Sequence, residues 1–258
     1  MNLFDTHCHL DREELSINIE GVLDSAAEAG VKHILIPGCG AFNWEQVKEI
    51  SQSRANLYYA LGLHPYFIDK HNKNDLSELE SRLQKGDPGC VAVGECGLDF
   101  FLSRDNEAIQ KALLIEQIKL ANTFELPLIL HNRKAHQDLI KILRQYKPKC
   151  SGVIHGFSGS LQQANDFIDL GFYIGVGGTI TYERASKTRK TISSIPLSSI
   201  VIETDSPDMP LNSYQGIPNH PKRSVDVLKS LNLLRNECEQ TVASVVFDNS
   251  KRLFRICE

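Results

Sequence analysis

The sequence lacks a long apolar run and a paired-cysteine motif. Its 258 residues include seven cysteines, an odd number, and none of them forms a Cys-x-x-Cys. Neither a disulfide framework nor a thiolate zinc site is therefore expected. No apolar stretch is long enough to cross a bilayer, and no basic segment precedes an apolar one at the N-terminus. We predict reduced thiols, a cytoplasmic location and no membrane partner.

Strong charge of either sign is also missing. The formal net charge is −4. This value argues against a protein that binds polyanions over its whole surface, but it is compatible with a local rim of basic residues. We find no linker and no low-complexity tract, and 41% of the residues are apolar. This length and composition predict a single domain over residues 1–258 with a sizeable core, and no obligate protein partner.

Short apolar segments alternate with longer amphipathic ones. Each short segment is rich in β-forming residues and bounded by turn or polar residues, as expected for buried parallel strands. The eight predicted strands are Leu3–Phe4, His33–Ile36, Leu57–Leu61, Cys90–Val93, Leu128–Leu130, Gly152–Ile154, Phe172–Val176 and Ile200–Ile202. Helical patterns occupy residues 15–30, 42–53, 75–85, the region around 114–121, 136–146, 161–171, 183–194, 221–234 and 236–248. This order predicts an α/β fold, a (β/α)8 TIM barrel, with a doubly wound open sheet as the alternative.

One stretch near the N-terminus, Asp5-Thr6-His7-Cys8-His9, has a definite geometric meaning. In extended backbone, alternate side chains point to the same face. His7 and His9 would then share a face with Asp5, while Cys8 would point away. Two imidazoles held in this way form half of a metal site.

Matching donors recur at the ends of later strands. In a TIM barrel, functional groups lie at the carboxyl ends of the strands. Five of the nine histidines and two carboxylates fall at such ends. These candidates are His7 and His9 after strand one, His64 after strand three, Glu95 after strand four, His131 after strand five, His155 after strand six and Asp205 after strand eight.

Six of these donors exceed what one catalytic ion needs and suit two divalent ions with a bridging carboxylate. Glu95 is the expected bridge, because its two oxygens can serve two ions. We predict His7, His9, Glu95 and Asp205 around one ion, and Glu95, His131 and His155 around the other. The pair would activate water as a nucleophile, with Asp205 orienting that water or taking its proton. Zinc, manganese, cobalt and magnesium all suit such a donor set.

Other polar residues near these strand ends are expected either to orient the ligands, to contact the substrate, or to lie outside the site. Glu203 shares the parity of Asp205 and is predicted to bond a ligand histidine or His64 from behind. For His64 two roles remain open, namely support of the ligand residues from behind and contact with the substrate. Arg133 would face the cavity and hold an anionic substrate group. The glycine-rich loop 156–160 is a weak candidate for a phosphate site. The remaining histidines are interpreted as a strand-start residue, His33, and as loop or helix-surface residues, His71, His136 and His220.

The ordered motifs resemble the TatD family of metal-dependent hydrolases, within the amidohydrolase-like barrels. The resemblance covers essentially the whole chain. It rests on Asp5-Thr6-His7-Cys8-His9, Gly62-Leu63-His64-Pro65, Gly94-Glu95-Cys96-Gly97-Leu98-Asp99, His131-Asn132-Arg133, His155-Gly156-Phe157-Ser158-Gly159-Ser160 and Glu203-Thr204-Asp205-Ser206-Pro207. It implies a divalent-metal hydrolase, in several members a deoxyribonuclease acting on 3′ ends, and metal ligation by the same six residues.

Two departures bear on the substrate. Members commonly carry Cys where this chain has Gly156, and nuclease members often continue after strand eight with a basic segment. Here that segment reads Asp208-Met209-Pro210-Leu211. These departures weaken the inference of a DNA substrate more than that of the metal site. From the six donors and the resemblance we expect a phosphodiesterase acting on DNA ends; the alternative, which the missing basic segment favours, is hydrolysis of a small-molecule ester, lactone or amide. A barrel that has lost activity is a third possibility, disfavoured by the retention of all six donors.

Overall fold

The computed structural model describes residues 1–101 and 103–256, and in this part of the chain eight parallel strands form one sheet in sequential order. The strands are β1 (Leu3–Asp5), β2 (Val31–Pro37), β3 (Leu57–Leu61), β4 (Cys90–Asp99), β5 (Leu128–Arg133), β6 (Gly152–Ile154), β7 (Tyr173–Val176) and β8 (Ile200–Ile202). The sheet closes on itself, because Thr6 N donates to Ile202 O (3.1 Å) and Asp205 N donates to His7 O (2.9 Å). The predicted (β/α)8 barrel is confirmed, and the open-sheet alternative is wrong.

Helices separate the strands. They are α1 (Glu13–Ser16), α2 (Ile19–Glu28), α3 (Trp44–Gln52), α4 (Asp75–Gln84), α5 (Glu107–Phe124), α6 (His136–Tyr146), α7 (Leu161–Ile168), α8 (Ser186–Ser194), α9 (Ser224–Asn232) and α10 (Glu239–Phe254). Short 3₁₀ turns cover Pro65–Lys70, Gly178–Thr181, Leu197–Ser199 and Pro221–Arg223. A capping box formed by Ser160 and Gln163 opens α7. None of the helices in the described residues has the length and apolar content that a membrane span requires.

Strands β4 and β5 are longer than the sequence predicted. Both predictions stopped where polar residues begin, at Val93 and Leu130. The strands continue because their polar ends pair with each other, with Gly97 opposite His131 and Asp99 opposite Arg133. Gly97 is required there, since a Cβ at this position would lie 2.0 Å from His131 O. The polar residues of the fourth and fifth motifs are therefore held on rigid strand rather than on a loop.

The barrel interior is filled by alternate residues of the strands. One buried cluster takes side chains from seven strands, namely Phe4, Leu35, Ala60, Ala92, Ile129, Val153 and Val201, and α10 adds Phe247 and Phe254 to it. Because side chains alternate along a strand, the positions two residues further on face the same side. For β5 this position is His131, on the strand itself, and for β6 and β8 it is His155 and Glu203, which directly follow their strands. The apolar interior thus leads directly into a polar layer at the carboxyl end of the barrel.

Candidate metal centre

Four donors converge beside the end of β1. His7 Nε2 lies 3.2 Å from Glu95 Oε2 and 3.6 Å from Asp205 Oδ1. His9 Nε2 lies 3.5 Å from the same Asp205 oxygen and 3.8 Å from the same Glu95 oxygen. Two imidazoles and two carboxylates of this kind are a donor set for a divalent cation.

The buried imidazole of His7 provides a test of whether a metal fits. Its ring is fully buried, and among the described residues neither Nδ1 nor Nε2 makes a hydrogen bond of acceptable geometry. An unpartnered polar atom in a protein interior is costly. A cation placed between His7 Nε2 and the two carboxylates would satisfy that nitrogen. The residues present therefore fit a bound metal.

The second oxygen of Glu95 faces a different set of imidazoles. Oε1 lies 3.1 Å from His131 Nδ1 and 3.4 Å from His155 Nε2, whereas Oε2 faces His7 and His9. Glu95 is itself buried. The carboxylate thus stands between two donor groups, in the geometry expected of a bridge. Several sets of three side chains place their ligand atoms close enough together to hold one metal ion. They include His7 with His9 and Glu95, and His64 with Glu95 and His131.

His64 supports this bridge in the tautomer that its neighbours impose. The backbone N–H of Tyr66 donates to His64 Nδ1 at 3.0 Å, so Nδ1 accepts and Nε2 carries the proton. Nε2–H then donates to Glu95 Oε1 at 2.9 Å. Burial lowers the pKa of His64 to about 4, which keeps the ring neutral. His64 also lines the cavity over the donors, and its contact with substrate stays a prediction.

Two carboxylates hold the ligand imidazoles from behind. Glu203 Oε1 lies 3.2 Å from His155 Nδ1 and accepts a hydrogen bond from Gly156 N at 2.6 Å, as the parity of Glu203 predicted. Asp99 Oδ2 lies 2.9 Å from His131 Nε2. Such partners fix the orientation and tautomer of a metal-binding histidine. Sequence reasoning assigned no role to Asp99, although its parity with Glu95 was the available signal.

The carboxyl end of β8 is fixed by buried hydrogen bonds to β1. Asp5 accepts from Thr204 N (2.9 Å) and from Thr204 Oγ1 (2.6 Å). Ser206 Oγ in turn donates to Thr204 Oγ1 at 2.7 Å. Asp205 sits between them with φ of 56°, a conformation uncommon for residues other than glycine. These bonds and the one from Asp205 N to His7 O hold its carboxylate at the metal centre.

The histidines and carboxylates of the centre shift one another's pKa values. Burial opposes ionisation of Asp205, but His155, His9 and His7 together lower its pKa to about 2. Burial likewise opposes protonation of His155, yet the neighbouring carboxylates, Glu203 foremost, raise its pKa to about 10. Asp205 therefore stays ionised at neutral pH, and the imidazole of His155 binds a proton when no metal is present. A divalent cation that binds here would displace protons, so its affinity would fall as the pH falls.

A cavity of about 380 Å³ lies over these donors. Its mouth includes two arginines, Arg12 and Arg133, and one acid, Asp208. The Arg133 guanidinium lies 3.6 Å from the centroid of the Phe101 ring. Arg133 thus lines the cavity, as predicted, while its guanidinium packs against the ring of Phe101.

One minor interpretation from the sequence was wrong. His136 is buried rather than on a helix surface, with Nε2 3.1 Å from Asp166 Oδ2, since α6 packs this face toward α7. In the loop 156–160, the N–H groups of Gly156, Phe157 and Ser160 are bonded within the protein, which leaves fewer donors for a phosphate, and a phosphate site there stays a prediction.

Comparison with known proteins shows which family the chain belongs to. The model of the TatD related DNase family matches residues 4–255. The chain belongs to the TatD family of metal-dependent hydrolases. It is 46% identical to the metal-dependent hydrolase YjjV of Escherichia coli strain K12, over 98% of this chain and 97% of that protein. It is 41% identical to a metal-dependent hydrolase of Haemophilus influenzae, over 98% of this chain and 100% of the relative. The crystal structure of YjjV superposes with a TM-score of 0.97 at 45% identity, covering 99% of this chain and 98% of that one.

Proposed function

We propose that this member of the TatD family is a phosphodiesterase that removes nucleotides from the 3′ ends of DNA, using two divalent ions. Glu95 carries this proposal, because one of its oxygens faces His7 and His9 while the other faces His131 and His155. When bound, such a pair of ions lowers the pKa of water and stabilises charge on phosphoryl oxygens. Zinc, manganese, magnesium and cobalt all suit the donors.

The residues around the ions would bind and orient the phosphodiester. Arg12 and Arg133 reach the cavity and would neutralise the non-bridging oxygens of the phosphate. The carboxylate of Asp205, ionised because its pKa is about 2, would accept a hydrogen bond from the attacking water and orient it. The buried walls limit the access of bulk water, which strengthens these interactions.

The test is hydrolysis of end-labelled single-stranded DNA by the purified protein with added manganese or magnesium. We expect mononucleotide release, its loss with a chelator, and a rate lower by about 10²- to 10⁴-fold in Asp205→Asn, the range for removal of a group that handles a proton. Asp169→Asn, which changes a remote acid at the end of α7, is the matched control. Undetectable release by the wild-type protein, or equal rates in wild type and Asp205→Asn, would refute the proposal.

A second candidate function is hydrolysis of a small-molecule ester, lactone or amide. Asp208 favours it, because this acid lines the cavity mouth at the place where a basic segment would favour DNA. A panel of carboxylic esters and phosphodiesters, assayed with the same metal-loaded protein, separates the two functions. Metal analysis of that protein also checks the premise they share, since less than one ion per chain after supplementation would exclude both.

A further inference from the structure

Exposed aromatic rings lie in three of the loops that follow strands at the carboxyl end of the barrel. Phe42, Tyr66 and Phe101 are 52%, 57% and 49% exposed, and they follow β2, β3 and β4 respectively. Phe67 joins them, with its ring centroid 5.4 Å from that of Phe42 and 5.2 Å from that of Tyr66. Large rings left in solvent together, beside a candidate active site, mark a binding surface.

Cations accompany these rings. Lys70 Nζ lies 5.1 Å from the centroid of Phe67, the Arg12 guanidinium lies 5.9 Å from it, and Arg133 covers Phe101. Within residues 1–101 and 103–256, none of these three cations forms an ion pair with a carboxylate. Aromatic faces that alternate with unpaired positive charge are the recognition chemistry of single-stranded nucleic acid, where bases stack and phosphates are neutralised.

A second cavity opens beside the rings. It has a volume of about 460 Å³ and lies between the 3₁₀ turn Pro65–Lys70 and the start of α5. It shares Tyr66, Phe67 and Asp99 with the cavity over the metal centre. Asp99 bonds His131, so this side cavity begins next to the donors. Its volume lies within the usual range for small-molecule sites.

The lining of the side cavity suits a heterocyclic base. Tyr66 offers a ring face, and Asn106 and Ser103 offer polar side chains. Gln110 is already committed, because its amide bonds both the N–H and the C=O of Asp99. Besides Asp99, a second acid, Asp69, lines the cavity and is adjacent in sequence to Lys70. The site thus combines one stacking surface with a few hydrogen-bonding groups.

We propose that this side cavity binds the base of the 3′-terminal nucleotide of single-stranded DNA, stacked on Tyr66, with Arg133 and Lys70 beside the flanking phosphates. The inference rests on the proposed phosphodiesterase function and specifies its substrate. A terminal base in a duplex is paired and stacked on its neighbour, so it could enter the cavity only after fraying. The site therefore selects single-stranded over fully paired ends.

The experiment compares two single-stranded oligonucleotides that differ only at the 3′-terminal residue, one carrying a base and the other abasic. The readout is the ratio of the two kcat/KM values with manganese. We expect the base to be favoured in the wild type, and Tyr66→Ala to reduce this preference by about 5- to 150-fold, the range for one base–aromatic stack. Tyr66→Phe keeps the stacking face and should retain the preference. Leu233→Ala, at a residue 82% exposed on the turn after α9, should not change it.

Binding without turnover gives a second readout. An oligonucleotide with a terminal 2-aminopurine is mixed with Asp205→Asn protein, and stacking on Tyr66 should quench its fluorescence. Combining Asp205→Asn with Tyr66→Ala should abolish that quenching, while the backbone N–H of residue 66 still donates to His64 Nδ1. A base preference or a degree of quenching that is the same with and without Tyr66→Ala would overturn the inference. Quenching without any hydrolysis by the wild type would uphold the base site while refuting the phosphodiesterase.

Discussion

Glu203 offers the sharpest test of how the metal centre is built. Its side chain is fully buried behind His155, and Oε1 serves both His155 Nδ1 and Gly156 N. Gly175 leaves space for it, since a Cβ there would lie 2.6 Å from Glu203 Oε2. Glu203→Gln preserves the shape but removes the charge. The substitution should therefore weaken the imidazole as a metal ligand without moving it.

The magnitude follows from the lost charge-assisted hydrogen bond. A bond to a charged group contributes about 1.5–3 kcal/mol, which corresponds to about a 10- to 100-fold loss of metal affinity, the range for such carboxylate partners. Stability in a chelator should fall as well, because the metal-free protein loses the same hydrogen bond between Glu203 and protonated His155, whose pKa is about 10. Glu203 Oε2 has no hydrogen-bond partner among the described residues, so an amide there exchanges one unpaired polar group for another and adds little to the change. We expect the free energy of unfolding to fall by about 1.5–3 kcal/mol.

The assay is calorimetric titration of zinc or manganese into metal-stripped protein, together with urea unfolding in a chelator. Glu183→Gln, at an exposed position before α8, serves as the control for loss of one negative charge. Equal metal affinity in Glu203→Gln and in the control would refute the role of Glu203 behind His155. A fall in unfolding free energy with no loss of metal affinity would indicate that Glu203 mainly supports the fold.

Three further predictions probe the surroundings of the site. Thr204→Val removes a buried hydroxyl with three hydrogen bonds and should lower the unfolding free energy by about 2–4 kcal/mol in urea titrations. The control, Thr123→Val on the surface, should change it by under about 0.5 kcal/mol. A similar effect in both variants would contradict the stabilising role of the hydrogen bonds of Thr204. Asp99→Asn should weaken metal binding by about 10- to 100-fold in a chelator competition, because an amide no longer fixes which ring nitrogen of His131 carries the proton. Unchanged metal affinity would exclude this role of Asp99. Burial and two nearby cations lower the pKa of His220 to about 4 from 6.5, so the unfolded chain binds more protons across that window and the unfolding free energy should fall as the pH drops through it. His220→Asn should flatten this part of the pH profile, and an unaltered slope would disprove the assignment.

Local periodicity accounts for much of what the sequence predicted correctly. His131, His155 and Glu203 continue the inward parity of Ile129, Val153 and Val201, and this alternation is a property of extended backbone alone. The eight strands were recognised because each is a short buried apolar run between turn residues. Their carboxyl ends meet at one end of the barrel, and for this reason the donors were expected to converge.

The misses concern contacts between segments that are distant in sequence. The extension of β4 to Asp99 depends on pairing with β5, which no local pattern reveals. The burial of His136 depends on where α6 meets α7. The tautomer of His64 depends on the backbone of the following 3₁₀ turn. Each of these features is a matter of three-dimensional structure rather than of propensity.

By itself, the sequence determined the donor chemistry, the order of strands and helices, and the face on which most of the donors lie, because these depend on residue type and on a repeat of two within single strands. Only the tertiary structure decided that Asp99 holds His131 from behind and that Asp5 fixes the end of β8 across 199 positions of chain. Distances of this kind are fixed when the barrel closes and its interior packs, since backbone segments far apart in sequence are then held by one another.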